Sequence, residues 1–383
     1  MAGKTLEALR AQIDGVDGQI LDLFKQRMEI AREVARVKKE SASAVYRPGR
    51  EREILCRAAN EAGEELESYA RILFSTLMDL SRSWQITCMS DGKGELMQSI
   101  ENAIERTPPL FPTRALVACQ GVEGAYSQQA CDRLFRTANI LYFKTFDGVF
   151  NAVEQGLCRF GILPIENSTY GTVNQVYDLM MHHRFHIVRS LKYKINHVLL
   201  AKPGVSLDGI REIFSHEQAI GQCSAFLKSL KDVRVTVCEN TAAAAKMVSE
   251  SERTDVASIS SPACAALYGL NVLGRQVSNT DSNFTRFICI EKEPEIYPGA
   301  NRISLLMTLP HTPGALYQLI AKFSALGLNL TKLESRPIPG RDFEFMFYFD
   351  LEASVFSKEV LTLLDALSRQ LELFMFLGCY QEV

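Results

Sequence analysis

The stretch Ser278–Ile290, SNTDSNFTRFICI, runs six polar or turn-forming residues into a Thr-Arg-Phe step and then an apolar run. A β-branched Thr suits a strand, and an Arg beside it can simply point to solvent. The local pattern leaves two readings open: an ordinary strand entrance, or a hydroxyl and a guanidinium set for chemistry where a polar loop enters a buried strand. The preceding segments bear on the choice. RALVACQGVEGAYSQQACDRLF (114–135) reads as strand, glycine turn, helix. RFGILPIENSTYGTVNQVYDLMM (159–181) is an apolar strand ending on Glu166, Asn167 and Ser168, with a helix from about Thr172. EIFSHEQAIGQCSAFL (212–227) repeats the arrangement with Ser215, His216 and Gln218, and ENTAAAAKMV (239–248) does so with Thr241 as the expected helix cap. Strands alternating with helices predict an α/β domain with a largely parallel sheet. Polar residues at strand C-terminal ends stand where such folds bind ligands. Four polar turns of one type predict two lobes facing a shared cleft, and Ser278–Ile290 is then the chain returning to the first lobe. Gly121 and Gly124 lack the third glycine and downstream acid of a dinucleotide site.

The chain has 383 residues, enough for two or three domains, with 47% hydrophobic and 23% charged residues, as in ordinary globular proteins. A net charge of −3 offers no basic patch for nucleic acid. No apolar run reaches membrane-span length, and the start MAGKTLEALRAQ has no signal-peptide core. The ten cysteines are scattered without a C-x-x-C pair, which argues against zinc or a disulfide framework and for a reducing cytoplasm. His182, His183 and His186 include a pair at helical metal spacing, but no third ligand is evident, so a solvated helix end and no metal are expected.

From Leu6 to Val37 apolar residues recur at alternating three and four spacing, predicting one long helix with a packing seam. Gly15 and Gly18 each weaken it by about 1 kcal/mol against Ala. Arg27 breaks the seam; it reaches solvent, pairs with Glu29 or Glu33, or meets an anion, because an unpaired buried guanidinium is costly. A second helix starts near Pro48, and a third carries Leu66, Leu73, Leu77, Leu80 and Trp84 on one face, with Ser81 and Gln85 one turn apart beside them. A helix of some 35 residues is roughly 50 Å long. The other helices are too short to cover it, so a second copy of the chain is expected to, in an intertwined dimer whose inward cations suit a small dianion.

LRAQIDGVDGQILDLFKQRMEIAREVARVKK, YRPGRERE and DLSRSWQ together resemble the all-helical chorismate mutases. The resemblance implies a pericyclic conversion of chorismate to prephenate with no cofactor. It assigns the two carboxylates to Arg27 and to an Arg10 reaching across the dimer, and the ether oxygen to Lys38 and Gln85. Glu51 and Ser81 take the ring hydroxyl and a carboxylate. Fixed cations aimed at developing charge, with both carboxylates clamped, suit such a transition state. Arg47 departs from relatives that carry Asp there.

GVEGAYS, PIENSTYGTV, SHEQAIGQC, LYGL and DSNFTRF, in that order, resemble prephenate dehydratases, a two-lobed fold like the periplasmic binding proteins. The resemblance implies dehydration with decarboxylation. Thr285 donates to the departing hydroxyl, Arg286 holds a carboxylate or braces the loop, and Phe287 packs. Asn167, Ser168 and Thr172 contact substrate, and Glu166 orients neighbours. From Arg302 the order strand, helix, strand, strand, helix, strand predicts an α+β ferredoxin-like domain. HTPGALYQLI and LNLTKLESRP resemble the ACT domain that senses phenylalanine, with Gly314, Ala315 and Leu316 approaching the ligand, Asn329 and Leu330 closing the pocket, and Glu334, Ser335 and Arg336 nearby. A side chain at Gly314 is expected to obstruct the ligand.

The expected organisation is a mutase at 1–90, a linker at 91–112, a dehydratase at 113–293 and a regulatory domain at 300–383. The expected function is a bifunctional chorismate mutase–prephenate dehydratase under feedback control by phenylalanine, without cofactor or metal. It is expected to be a cytoplasmic homo-oligomer, at least a dimer, that binds neither nucleic acid nor membrane. The alternatives are a dehydratase preferring arogenate, or a catalytically inactive sensor of aromatic metabolites.

Overall fold

A computed structural model describes residues 5–41, 43–89, 92–338, 340 and 344–383. They form two compact units. One comprises residues up to Ser99 with Met307–Leu328 and Phe356–Phe374; the other comprises Ile100–Leu306, Asn329–Val355 and Met375–Val383.

In the first unit α1 (Leu6–Glu40) is the predicted 35-residue helix, capped by the Thr5 side chain, which accepts from Ala8 N, and carrying Lys38 and Lys39 in its last turn. α2 (Pro48–Ala62) opens on its proline, and α3 (Glu67–Met89) packs against both. Only Ala31 and Ala35 of α1 are buried. The seam residues Leu6, Leu9, Ile13, Val16, Ile20, Leu23, Ile30, Val34 and Val37 stay 38–64% exposed within the chain.

α4 (Glu95–Arg106) lies in the expected linker. The first lobe follows: β1 (Arg114–Gln120), α5 (Tyr126–Leu134), β2 (Thr137–Phe143), α6 (Phe146–Glu154), β3 (Phe160–Asn167), β4 (Gly171–Thr172), α7 (Asn174–Met180) and β5 (His186–Lys194). The second holds β6 (Val198–Ala201), β7 (Glu212–Ser215), α8 (Glu217–Gln222), α9 (Ser224–Ser229), β8 (Arg234–Val237), α10 (Thr241–Glu250), β9 (Val256–Ser260), α11 (Ala263–Tyr268) and β10 (Asn271–Gly274), in a sheet ordered β10-β6-β9-β7-β8. β11 (Phe284–Glu291) then returns to the first lobe between β3 and β5, as anticipated for the opening stretch.

That return corrects the expected parallel character. β1 runs parallel to β2 and β3, but β11 is antiparallel to both neighbours, and β6 is antiparallel to β9 and β10. A strand re-entering a lobe from its partner arrives from the opposite end, so the sheets are mixed. Each lobe has its own apolar core, around Phe160, Ile162 and Phe287 in the first and around Leu199, Ile213 and Ile259 in the second. Gly124 lies between the lobes' elements with φ +89, and a Cβ there would come within 2.9 Å of Cys264 Sγ, so the turn before α5 admits only glycine.

The remaining elements are β12 (Arg302–Thr308), α12 (Ala315–Ala325), β13 (Asn329–Pro337), β14 (Phe345–Glu352), α13 (Lys358–Gln370) and β15 (Phe374–Glu382). Phe343, which opens the stretch expected for β14, lies outside the described residues. Their βαββαβ succession and strand order β13-β14-β12-β15 are ferredoxin-like. β15 pairs with β5, so the first lobe's sheet continues to β13: β13-β14-β12-β15-β5-β11-β3-β1-β2.

Two smaller expectations change. Asn240, not Thr241, caps α10, accepting from Ala243 N at 2.8 Å; Thr241 is the first helical residue. The three histidines share no helix, since α7 ends at Met180 and His186 is on β5. His183 is not solvated: it is buried, stacked on Phe150, with Nδ1 2.9 Å from Glu154 and Nε2 3.0 Å from Asp147. No group of metal-binding side chains occurs among the described residues.

Candidate active sites

A cleft of about 820 Å³ runs between the lobes and is lined by Asn167, Thr172, Thr285 and Phe287 from the first and by His216, Gln218, Gln222 and Thr241 from the second. Strand geometry selects which residues of the Thr-Arg-Phe step face it, because side chains alternate along β11. Thr285 and Phe287 face inward. Between Arg286 and Phe287 the register with β3 slips by one, which brings Pro164, lacking an N–H, opposite Phe287. Thr285 stays directly opposite Asn167.

The hydrogen bonds at Thr285 have a determinable direction. Asn167 Oδ1 accepts the backbone N–H of Thr169 at 2.9 Å and of Tyr170 at 3.0 Å, which can only donate. The Asn167 amide nitrogen therefore faces Asn283 Oδ1, Phe284 O and, at 3.0 Å, Thr285 Oγ. By the same logic Gln222 Nε2 donates to Asn167 Oδ1 at 3.4 Å, and Gln222 Oε1 accepts from His197 Nε2 at 2.8 Å. Burial, foremost, lowers the pKa of His197, which favours the neutral ring. The chain His197–Gln222–Asn167–Thr285 is thus polarised toward the threonine oxygen. With one lone pair of its oxygen engaged by Asn167, the Thr285 hydroxyl can donate its proton into the cleft that it lines. Sequence reading missed Gln222 and His197; the GQC step after SHEQAI was the available signal for the first.

Two expected contacts, Arg286 and Ser168, are placed differently. Arg286 does not line the cleft. It is buried on the other face of β11, donating to the Asp350 carboxylate and to Tyr380 Oη at 2.8 Å, with Glu382 Oε2 3.3 Å from Nε. Of its two anticipated roles, bracing is the one this placement allows. Ser168 also stays out of the cleft: it accepts from Phe284 N at 2.9 Å and donates to Ser282 O, stitching the β3–β4 turn to the loop before β11. Glu166 pairs with Lys332 Nζ at 2.9 Å. Lys332 also donates to Thr172 Oγ at 2.9 Å, and Thr172 donates to Glu334 at 2.7 Å. Lys144 is the one lysine or arginine among the described lining residues.

In the helical unit, Arg27, Lys38, Ser81 and Gln85 converge between α1 and α3. Arg27 Nη1 donates to Leu77 O at 2.7 Å and to Ser81 Oγ. Lys38 Nζ donates to Val45 O at 2.8 Å and to Gln85 Oε1 at 3.0 Å, which leaves the Gln85 amide nitrogen as the donor end, away from the lysine. Partial burial, then the charge of Arg47, lower the Lys38 pKa, while Glu51 opposes them. The Arg47 departure therefore acts on the lysine. Arg10 is exposed, and 17 residues of helix separate it from Arg27, about 26 Å. It cannot share a site with Arg27 of its own chain.

Gly314 precedes α12 with φ +86, and a Cβ at this position would meet nothing within 4 Å. Within the protein itself, the left-handed backbone is what calls for glycine here.

Family models for prephenate dehydratase and for chorismate mutase type II match residues 117–295 and 9–86. Over 386 residues the chain is 33% identical to the bifunctional chorismate mutase/prephenate dehydratase of Escherichia coli strain K12, spanning 98% of this chain and 96% of that one. The chain belongs to the bifunctional chorismate mutase/prephenate dehydratase family. It is also 39% identical over 255 residues to arogenate dehydratase/prephenate dehydratase 2, chloroplastic, of Arabidopsis thaliana, covering 63% of this chain and 66% of that relative. The solved prephenate dehydratase from Arthrobacter aurescens in complex with L-Phe is 28% identical, with a TM-score of 0.63 over 70% of this chain and 90% of that one. A bifunctional family member carries a mutase and a dehydratase in one chain, in the order of the helical unit and the two-lobed cleft.

Proposed function

We propose that the chain converts chorismate to prephenate between α1 and α3, and prephenate to phenylpyruvate in the cleft between the lobes, under feedback inhibition by phenylalanine. The observation that carries the dehydratase half is the polarised chain ending on Thr285. As the bond to the ring carboxylate breaks, its electron pair enters the ring and the carbon–oxygen bond to the ring hydroxyl breaks. Carbon dioxide leaves, and the hydroxyl departs as water with a proton passed on by the Thr285 hydroxyl as it takes one from solvent, so that Thr285 ends neutral. A neutral donor assists without bringing negative charge toward a dianion. Lys144 and the amides opening α5 suit the substrate carboxylates.

In the mutase, Lys38 and the Gln85 amide serve the ether oxygen, and Arg27 with Ser81 one carboxylate. Arg10 of a second copy serves the other, so the working form is at least a dimer joined along the exposed seam of α1. The phenylalanine contacts are Gly314, Ala315 and Leu316 at the start of α12, and Asn329 and Leu330 at the start of β13, in an ACT domain. No described helix is long and apolar enough to cross a membrane. All ten cysteines are free, which suits a reducing cytoplasm.

Purified protein given chorismate, prephenate and arogenate separately tests this reading. Expected are turnover of chorismate, release of phenylpyruvate from prephenate, and slower turnover of arogenate, whose amino group replaces the keto group. Faster arogenate turnover reverses the substrate assignment, and no turnover of any leaves a sensor.

A further inference from the structure

An ionic chain in the first unit starts at Glu51 and runs on through charged residues that have no role assigned above. Arg82, next to Ser81 on α3, donates from Nη1 to Glu51 Oε1 and from Nη2 to Asp79 Oδ1 at 3.3 Å. Its guanidinium carbon lies 5.4 Å from the centre of the Tyr46 ring. The other oxygen of Asp79 is 3.2 Å from Lys322 Nζ of α12, and Lys322 also donates to Ser83 Oγ at 3.2 Å. One turn earlier, Gln318 of α12 donates to Ser75 of α3 at 3.1 Å. The four charged side chains are only 15–22% exposed, so salt and water screen them less than a surface pair.

The consequences follow from geometry. A guanidinium on Oε1 fixes the Glu51 carboxylate and leaves Oε2 to accept a hydroxyl proton. Asp79 is the second anchor of that guanidinium, and Lys322 neutralises Asp79. Without Lys322 the Asp79 carboxylate has no partner but Arg82, and draws it away from Glu51. We propose that Arg82 is a positioning residue of the mutase site, orienting Glu51 toward the ring hydroxyl of chorismate, and that Lys322 makes α12 part of that site by holding Asp79. The inference rests on the mutase reading above and adds two residues, 240 positions apart, that it did not include.

The test uses the full-length chain with Arg82→Met, Arg82→Lys and Lys322→Met, comparing KM and kcat for chorismate with turnover of supplied prephenate. Loss of one hydrogen bond to a charged group is worth on the order of tenfold. Arg82→Met raises KM for chorismate by about that factor with kcat nearly kept, as for a lost binding contact. Arg82→Lys recovers part of the loss. Lys322→Met moves KM in the same direction by a smaller factor, and dehydratase turnover is unchanged in all three. If Arg82→Met does not fold, the other two variants decide. Wild-type KM in Lys322→Met together with wild-type KM in either Arg82 variant, even with lowered melting temperatures, overturns the proposal. Wild-type protein that leaves chorismate untouched instead removes the mutase reading itself.

Discussion

At the residue scale, the proposed role of Thr285 rests on what occupies its oxygen. Asn167 donates to it, and the orientation of Asn167 is imposed by two backbone N–H groups. The isosteric Thr285→Val keeps shape but loses the donor, and kcat for prephenate is expected to fall by roughly 10²–10⁴. Thr285→Ser keeps the donor and measurable turnover. A valine variant with wild-type kcat in a phenylpyruvate assay removes Thr285 from the chemistry. Thr285 and Asn167 were legible as site candidates because both stand where an apolar strand meets a polar turn, and such a position needs no long-range partner to be noticed. Arg286 was not legible to the same degree. Its destination depends on Asp350 and Tyr380, 64 and 94 residues later, and on alternation along β11 that turns it from the cleft. Arg82 and Lys332 escaped for the same reason: each meets a carboxylate on another element, Glu51 and Glu166, and a charged residue on a helix or edge strand otherwise reads as a solvated face.

At the element scale, the helices of the first unit followed from periodicity and the Pro48 start, and the ferredoxin-like order followed from alternation. The mixed sheets did not, because strand direction depends on which lobe a strand joins. α1 shows how far an element can be understood within one chain. Its nine seam residues are apolar at helical spacing yet 38% or more exposed, and burying a Leu or Ile side chain is worth about 1.5–3 kcal/mol. A second α1 is the proposed cover, and the distance from Arg10 to Arg27 argues the same way. Ile13→Glu combined with Ile20→Glu alters only exposed positions, 58% and 55%, so each chain is expected to fold. Chorismate turnover should fall to near zero while prephenate turnover persists, and sedimentation velocity should show a smaller species. Wild-type mutase activity with wild-type sedimentation in this double variant leaves the seam without its proposed partner.

At the scale of the whole molecule, the proposed regulation has a physical route within the second unit. β13 starts at the proposed effector residues Asn329 and Leu330, and a few residues on it touches the dehydratase cleft. Lys332 donates to Glu166 and to Thr172, Glu334 accepts from Thr172, and Arg336 pairs with Asp178 of α7. Thr172 lines the cleft, so displacement of β13 alters a cleft residue directly. Arg286 adds a buried tie from the strand of Thr285 to β14 and β15. Coupling between two sites requires an element that both bias, and β13 carries the proposed effector residues at its start and the Lys332, Glu334 and Arg336 contacts further along. Lys332→Met removes the cation that joins Glu166, Thr172 and Glu334. Coupling free energies of about 1–3 kcal/mol correspond to roughly 5- to 150-fold. The variant is therefore expected to need at least about fivefold more phenylalanine for half-inhibition of prephenate turnover. Calorimetry should still show phenylalanine bound, because Lys332 is not among the effector contacts, while prephenate should lose most of its influence on that binding. Loss of coupling in both directions is required by linkage, which separates this outcome from simple damage to the cleft. If Lys332→Met is inhibited at the wild-type concentration with coupling intact, control reaches the cleft by another path, of which the Arg286–Asp350 pair is the next to remove.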